Sequence, residues 1–436
     1  MAGKSARIPL NVYLNARLVG RLQRETSGAI EFQYDQSWLD WENTFPVSLS
    51  LPLREDRYTG DPVIAVFDNL LPDNDDIRKR IAARSGAEGI DPHSLLAVIG
   101  RDCAGALQFL PDDIAPAKAG EVKANPISHK KIGEKLKNLA TAPLGIDDDR
   151  AFRISIAGAQ DKTALLWWDD SWHTPSGTTA TTHILKPQIG DRDGRNLTHS
   201  VENEHFCMRI LSELNIPVAA TDMVDFDDQT ALVVERFDRR WTSDGRLLRV
   251  PQEDCCQALS IPPTRKYQAD GGPSMADMFE LLKGSDDPDY DRLMFLKAQI
   301  AFWLLAAIDG HAKNFSLFLY PHSGFQLTPL YDVMSAQHLF DLRQIQRKQL
   351  RIAMSVGTGN HYRIHEIQVR HYYQTAKKAG IPDSMVETTL GQIVNDLPAA
   401  IEHASAVLPK NFPTEIRDSI AKGALERSTV IAATIA

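Results

Sequence analysis

Between about residues 150 and 240 the sequence is built of short strand-like runs, and beyond about 275 it is almost wholly helical. That order constrains the fold more than any other feature. Strands followed by helices pack as a small sheet lobe beside a larger helical lobe, with a cleft between them. The strand runs are RISIAG, which ends in glycine, then TALLWW, THILKP and ALVVERF, with a helix from about Ser200 to Leu214 before the last. The helical part reads MADMFELLKG, then DRLMFLKAQIAFWLLAAI, then helices near 364–379, 385–407 and 414–426. Its most apolar stretch, Phe295 to Ile308, carries Lys297 and Gln299 and is too short to span a bilayer. It reads as a core helix, and no membrane association is expected.

The first 110 residues mix strands and short helices. NVYLNARLVGRL and AIEFQY alternate apolar with polar residues, which predicts strands joined by a turn near Ser27-Gly28. PVSLSLPL is a further extended run. A helix over DNDDIRKRIAARSG stops at Gly86, HSLLAVIG follows Asp91-Pro92, and GALQFLP is the next strand. Residues 112–126 have the Ala, Pro, Gly and charge content of a linker. The expected division is an α/β subdomain over 1–110, a linker region over 111–149, a small-lobe core over 150–240 and a helical lobe over 241–436. A chain of 436 residues suits two or three domains.

Composition excludes several classes of function. Hydrophobic residues at 43% and charged residues at 24% exclude a mainly disordered chain. A net charge of −9 argues against autonomous, non-specific nucleic-acid binding. Arg343, Arg347, Lys348 and Arg351 still form a local basic run, either a solvated face or a phosphate contact. The cysteines Cys103, Cys207, Cys255 and Cys256 make no C-x-x-C pair, which disfavours a zinc site or a disulfide framework. With no apolar signal region in MAGKSARIPLNVYLN, a reducing cytoplasm is the expected location.

The strongest chemical signal is Asp309-Gly310-His311-Ala312-Lys313-Asn314, directly after the apolar helix. Its D-x-x-x-x-N spacing is that of the protein-kinase catalytic loop. There the aspartate must reach an acceptor hydroxyl while the asparagine amide reaches a metal on the nucleotide phosphates. FSLFLY and FQLTPL then read as a hairpin leading to Tyr331-Asp332-Val333, where Asp332 is a candidate metal ligand. The competing reading is that Asp309 and Asn314 cap and stabilise a loop. His311 is either a base or a hydrogen-bonding group that positions Asp332.

Three weaker signals precede that loop. Ala157-Gly158-Ala159-Gln160-Asp161-Lys162 is a glycine turn between two strands that either lays backbone N–H groups over phosphates or is an ordinary hairpin. It is not a Walker A loop, since the required glycines would fall on Ile156 and Asp161. Lys186 ends the strand THILKP, as a phosphate-pairing lysine does or as a solvated strand end does. Glu204 shares a helix face with Val201, Met208 and Leu211, so it either faces Lys186 or the metal or sits at a half-exposed edge. ALVVERF occupies the place of an adenine-binding hinge, with backbone groups of Glu235 and Phe237 as candidates.

Taken together, RISIAGAQDKTALL, THILKP, ENEHFC, VERFDRRW, PQEDCCQALS, KYQADGGPS, DGHAKNFS and LTPLYDV resemble the HipA family of bacterial serine/threonine kinase toxins, over essentially the whole chain. The resemblance implies an α+β, protein-kinase-like bilobal fold with an extra N-terminal subdomain, and ATP and Mg2+ as cofactors. It implies Asp309 as catalytic base and Asn314 and Asp332 as metal ligands. Nucleotide contacts are implied at Ala157, Gly158, Ala159, Gln160, Asp161, Lys162, Lys186, Glu235, Arg236, Phe237, His311 and Lys313. Ser155 matches the family's autophosphorylation site, and Asp161 stands where glutamate is common. The implied partners are a HipB-type helix-turn-helix antitoxin dimer, operator DNA through that complex, and a protein substrate of the aminoacyl-tRNA synthetase class. A small-molecule kinase and a non-enzymatic corepressor are the alternatives.

Overall fold

Alternating apolar residues in the N-terminal runs build an antiparallel five-stranded sheet in the order Tyr58–Thr59, Ile30–Tyr34, Arg17–Arg24, Leu10–Leu14, Leu107–Pro111. The computed structural model describes residues 9–145, 154–158, 160–192 and 194–435. NVYLNARLVGRL is not one strand. Asn15 and Ala16, at φ +45° and +70°, turn the chain into a tight hairpin. PVSLSLPL is not a strand either. Pro46 and Pro52 remove ladder donors, and its polar groups go elsewhere: Leu49 N–H donates to Glu253 and Ser50 Oγ to the Gln257 carbonyl. The helix Asp75–Ser85 is capped by the Asn74 side chain and ends at Gly86 in the left-handed region.

A six-stranded antiparallel sheet follows, in the order Thr221–Phe226, Gln229–Glu235, His183–Pro187, Thr163–Trp168, Ser171–Pro175, Ala124–Pro126. Its last strand comes from within the linker-like stretch. The helix Ser200–Glu213 packs against the first two strands of that order. RISIAG does not form the expected strand. Ile154 to Ala157 joins no ladder, and Gly158 bridges to Pro72 of the N-terminal part instead. Arg153 lies outside the described residues.

The helices Met275–Leu282, Pro288–Leu305, Val369–Lys378, Asp383–Ala406 and Thr414–Ile435 form the C-terminal half. Two hairpins interrupt it: the expected one at Ser316–Leu319 and Phe325–Leu327, and an unexpected one at Arg351–Val356 and His361–Arg363. One continuous apolar core runs from Val12, Phe32 and Phe67 of the N-terminal sheet through Phe206 to Trp303 and Tyr372. The N-terminal part is therefore packed into the body of the protein. A smaller core of Ile132, Leu136, Leu165 and Phe226 lies on the six-stranded sheet. Among the described residues no helix is long and apolar enough to cross a membrane.

Candidate active site

The apolar helix Pro288–Leu305 ends because Ala306 takes a left-handed conformation, φ +53°. Gly310, two residues past Ile308, lies so close to the Phe302 ring that any Cβ there would collide with it. This fold-back turns Asp309 into a cavity of about 280 Å3 between the sheet and the helices. His311 N–H donates to the Asp309 carbonyl at 2.8 Å, and Asn314 Nδ2 donates to the same oxygen at 2.7 Å. The amide oxygen of Asn314 is thereby left for another partner. The strand Ser316–Leu319 then leads through the hairpin to Asp332, held at φ +62°, a strained value for a non-glycine residue.

Across the cavity, Lys186 donates to Glu204 Oε1 at 2.7 Å and to Asp332 Oδ1 at 2.8 Å. Lys186 and Glu204 are both buried. Burial alone would lift the Asp332 carboxyl, but Lys186 and Lys162 outweigh it and hold it well below the usual carboxylate range. Burial likewise works against the Lys186 ammonium, but Asp332 and Glu204 prevail and keep it charged. Burial pushes Lys162 down to about 8, and its ammonium donates to the Ala157 carbonyl.

Asp309 stands at the mouth of the cavity with 56% of its side chain exposed. Its dense surroundings push it up to about 6, against the opposing effects of a hydrogen bond from the Tyr267 hydroxyl and the charge of Lys266. His311, 3.7 Å from Asp309, is pushed down to about 3 by burial and stays neutral. Its ring packs edge-on against Tyr267 at 4.8 Å.

Of the described candidates for catalysis, metal and nucleotide contact, the cavity is lined by all but Asp161, Ser155 and Glu204, the last lying behind Lys186; the basic run at Arg343, Arg347, Lys348 and Arg351 lies off it too. Asp161 faces Arg80 at 3.9 Å. Ser155 is fully buried, with Oγ donating to the Leu70 carbonyl at 2.7 Å. Ala159 lies outside the described residues. Gln160 Nε2 donates to the Pro187 carbonyl. At the hinge, Glu235 N–H is taken by Ala220 and Arg236 N–H by Thr182, while the Phe237 ring packs on Phe318 and Tyr331. The Arg236 guanidinium points into a buried network with Asp102 and Asp238, shared with Arg239 and Arg249. Lys313 Nζ is likewise committed: it donates to the Asn69 carbonyl at 2.6 Å, to Asn69 Oδ1 at 2.7 Å and to Asp254 at 3.2 Å.

Sequence reasoning missed Asn69, Asp73, Asp254, Lys266 and Tyr267. Asn69 and Asp73 belong to the N-terminal part and line the cavity together with Gly158. Asp73 pairs with Lys266 at 2.7 Å, and its backbone N–H reaches the Gly158 carbonyl at 3.3 Å. Lys266 and Tyr267 stand in KYQADGGPS, a run with no helical or strand period to mark its use. Asn69 meets Lys313 across 244 residues of chain, a separation that no local pattern reports.

Residues 10–110 match the HipA N-terminal domain, and residues 154–401 match the HipA-like C-terminal domain. The putative kinase Y4mE of Sinorhizobium fredii is 36% identical over 396 residues, covering 90% of both chains. The serine/threonine-protein kinase toxin HipA of Shewanella oneidensis is 28% identical, covering 92% of this chain and 90% of its own. A solved structure of the Shewanella oneidensis toxin–antitoxin system, HipA with HipB and its operator DNA, superposes with a TM-score of 0.81 at 26% identity, covering 96% of each chain. The cavity and these matches lead to one conclusion: the chain belongs to the HipA family.

Proposed function

We propose that this chain is an ATP- and Mg2+-dependent serine/threonine protein kinase with a protein-kinase-like bilobal arrangement. It would act as the toxin of a toxin–antitoxin pair. The observation that carries the assignment is the convergence of Asp309, Asn314, Asp332 and Lys186, braced by Glu204, on one cavity. The names of the relatives support kinase activity, and the HipA–HipB–operator DNA complex supports a HipB-type antitoxin dimer and operator DNA as partners. The chain would divide into an N-terminal subdomain over 1–110, a linker region over 111–149, a small-lobe core over 150–240 and a helical lobe over 241–436. A synthetase-class substrate follows from the family resemblance alone.

The residues present fit a magnesium nucleotide. Gly158 sits at φ +107°, a conformation that residues with a side chain rarely adopt, and so holds this turn beside Lys162 without strain. Mg2+ uses one or two protein oxygens together with phosphate oxygens, and the Asn314 amide oxygen and the Asp332 carboxylate would hold it. Bound there, the metal supplies charge neutralisation at the phosphates. Lys186, braced by Glu204, contributes positive charge on the same side. Asp309 orients the acceptor hydroxyl and accepts its proton. Asp332→Ala should weaken Mg-ATP binding more than metal-free ATP binding in calorimetry. Equal losses with and without Mg2+ would remove Asp332 from the metal site.

The pH dependence follows from Asp309. Only the ionised carboxylate accepts a proton, and its pKa is raised to about 6. Phosphate transfer should therefore be level above about pH 6 and fall roughly tenfold per unit below it. A profile flat down to pH 5 would separate Asp309 from the proton transfer.

Ser155 is the proposed autophosphorylation site. Its burial and its bond to Leu70 mean that residues 154–158 must leave the N-terminal part before the hydroxyl can be modified. A phosphoserine brings about −1.5 to −2 charge and cannot return to that dry position. The modified form should lose ATP affinity. Mass spectrometry after incubation with Mg-ATP, followed by nucleotide titration of the separated forms, tests this; equal affinities would rule it out.

A further inference from the structure

Among the described residues, six cations line the cavity that holds Asp309: Lys162, Lys186, Arg192, Arg236, Lys266 and Lys313. We propose that Lys266 is a further catalytic residue, whose ammonium donates to the transferring phosphoryl group of ATP while Asp73 of the N-terminal part holds it in place. The proposal rests on the kinase assignment above and adds to it the residue that stabilises the group in flight.

The reaction sets the need. The acceptor oxygen bonds to the γ-phosphorus and its proton passes to Asp309. The bond from that phosphorus to the β,γ-bridging oxygen breaks, and ADP leaves with the electron pair. During this exchange charge is spread over the three remaining oxygens of the phosphoryl group. A cation already fixed beside them lowers the barrier, because it need not reorganise as the charge moves.

Most of the six cations are spent elsewhere. Lys313, inside the Asp309–Asn314 loop, gives its ammonium to Asn69 and Asp254. Arg236 is locked between Asp102 and Asp238. Lys186 is shared by Glu204 and Asp332, and Lys162 donates to the Ala157 carbonyl. Arg192 is exposed, and His311 is neutral. Lys266 makes one hydrogen bond among the described residues, to Asp73 Oδ2 at 2.7 Å, although an ammonium has three donors. It is also the cation whose charge most lowers the Asp309 carboxyl.

Lys266 stands where the two reactants would meet. Its anchor, Asp73, reaches the Gly158 carbonyl through its own backbone N–H at 3.3 Å, in the turn proposed to face the phosphates. Its chain neighbour, Tyr267, donates to Asp309 on the acceptor side. Lys266 Nζ lies 5.6 Å from the centre of the Tyr267 ring. The segment around it is fixed. Gln268 accepts from the Ser355 N–H at 2.7 Å and donates to Ser355 Oγ at 2.9 Å, and the Gly272 N–H returns to the Tyr267 carbonyl at 2.9 Å. The side chains of Lys266 and Asp73 are only 16% and 10% exposed, so water screens the ammonium weakly. The competing reading is that this ion pair only ties the N-terminal part to the rest of the chain.

The test begins with calorimetry on the full chain, comparing Mg-ADP with Mg-ADP plus aluminium fluoride, whose anion stands in for the phosphoryl group in flight. Wild type should bind the nucleotide more tightly with the fluoride. Lys266→Met should lose most of that gain, while its affinity for Mg-ADP alone stays within about threefold. Its transfer of γ-labelled phosphate to the proteins of a nucleotide-free bacterial lysate should fall by about 10²- to 10³-fold. The acid limb of its pH profile should also move above pH 6, because the Asp309 carboxyl loses a neighbouring cation. Lys266→Arg keeps the charge and should transfer at least about tenfold faster than Lys266→Met. A methionine variant that keeps the fluoride gain, or loses as much Mg-ADP affinity as transfer, would make Lys266 a structural tie and overturn the proposal. An arginine variant no better than methionine would overturn it too. A wild-type chain that transfers no label and shows no fluoride gain would take the kinase assignment down as well.

Discussion

Asp309→Asn is expected to lower phosphate transfer by about 10²- to 10⁴-fold while leaving ATP affinity near normal. The substitution is nearly isosteric, and the asparagine oxygen can still accept the hydrogen bond from Tyr267. In the proposed mechanism the change is confined to the group that would take the acceptor proton. Phosphoryl transfer relies mainly on positioning and electrostatics, so some activity should persist through Lys186, Asn314 and Asp332. Those residues line the proposed nucleotide side of the cavity and are not displaced by the change. Steady-state transfer rates set beside nucleotide titrations separate the two effects. Turnover within a few-fold of wild type would detach Asp309 from the chemistry, whatever the ATP affinity.

Lys313→Met should destabilise the folded chain by about 3–5 kcal/mol, because removing one partner from a buried ion pair strands the other. Lys313 is buried, and its ammonium serves Asn69 twice and Asp254 once, with Asp73 at 3.7 Å. Methionine fills a similar volume but leaves Asp254 and the Asn69 oxygens without their cation, while Asp73 keeps Lys266. Asp254 already has its pKa raised by burial and is held down mainly by Lys313, so it would take up a proton more readily in the variant. The loop from Asp309 to Asn314 would also lose its tie to the N-terminal part. Urea unfolding measures the change. A loss under about 1 kcal/mol would show that the Lys313 contacts are incidental.

The contrast between these two residues shows what was legible in the sequence. Asp309, Asn314 and Asp332 were readable because spacing along a short loop and one hairpin determines where they meet. Lys186 and Glu204 were readable as a candidate pair because a strand end and one helix face are local patterns, and the 2.7 Å contact follows from them. Lys313 sits inside the same motif, yet its ammonium points away toward Asn69, which only the tertiary fold brings near. RISIAG had the composition of a strand, but its Gly158 bridges to Pro72 and its Ser155 bonds Leu70 and Asp102, so contacts with the N-terminal part override the local preference. The hairpin at Arg351–Val356 went unread because its flanking charges resemble a solvated run. The helix Thr414–Ile435 runs past 426 over RSTVIAATI, whose Ser and β-branched Thr, Val and Ile have low helix propensity.

The most direct test of kinase function uses ATP carrying heavy oxygen in its γ-phosphate, added with the purified chain to a bacterial lysate freed of endogenous nucleotide. Mass spectrometry then reads which residues receive the heavy phosphate. The expected result is labelled serine or threonine on a small set of proteins with the wild-type chain, and label lower by about 10²- to 10⁴-fold with Asp309→Asn. Labelling by both chains alike, or by neither although Mg-ATP binds, would contradict the assignment of this cavity as the catalytic site of a protein kinase.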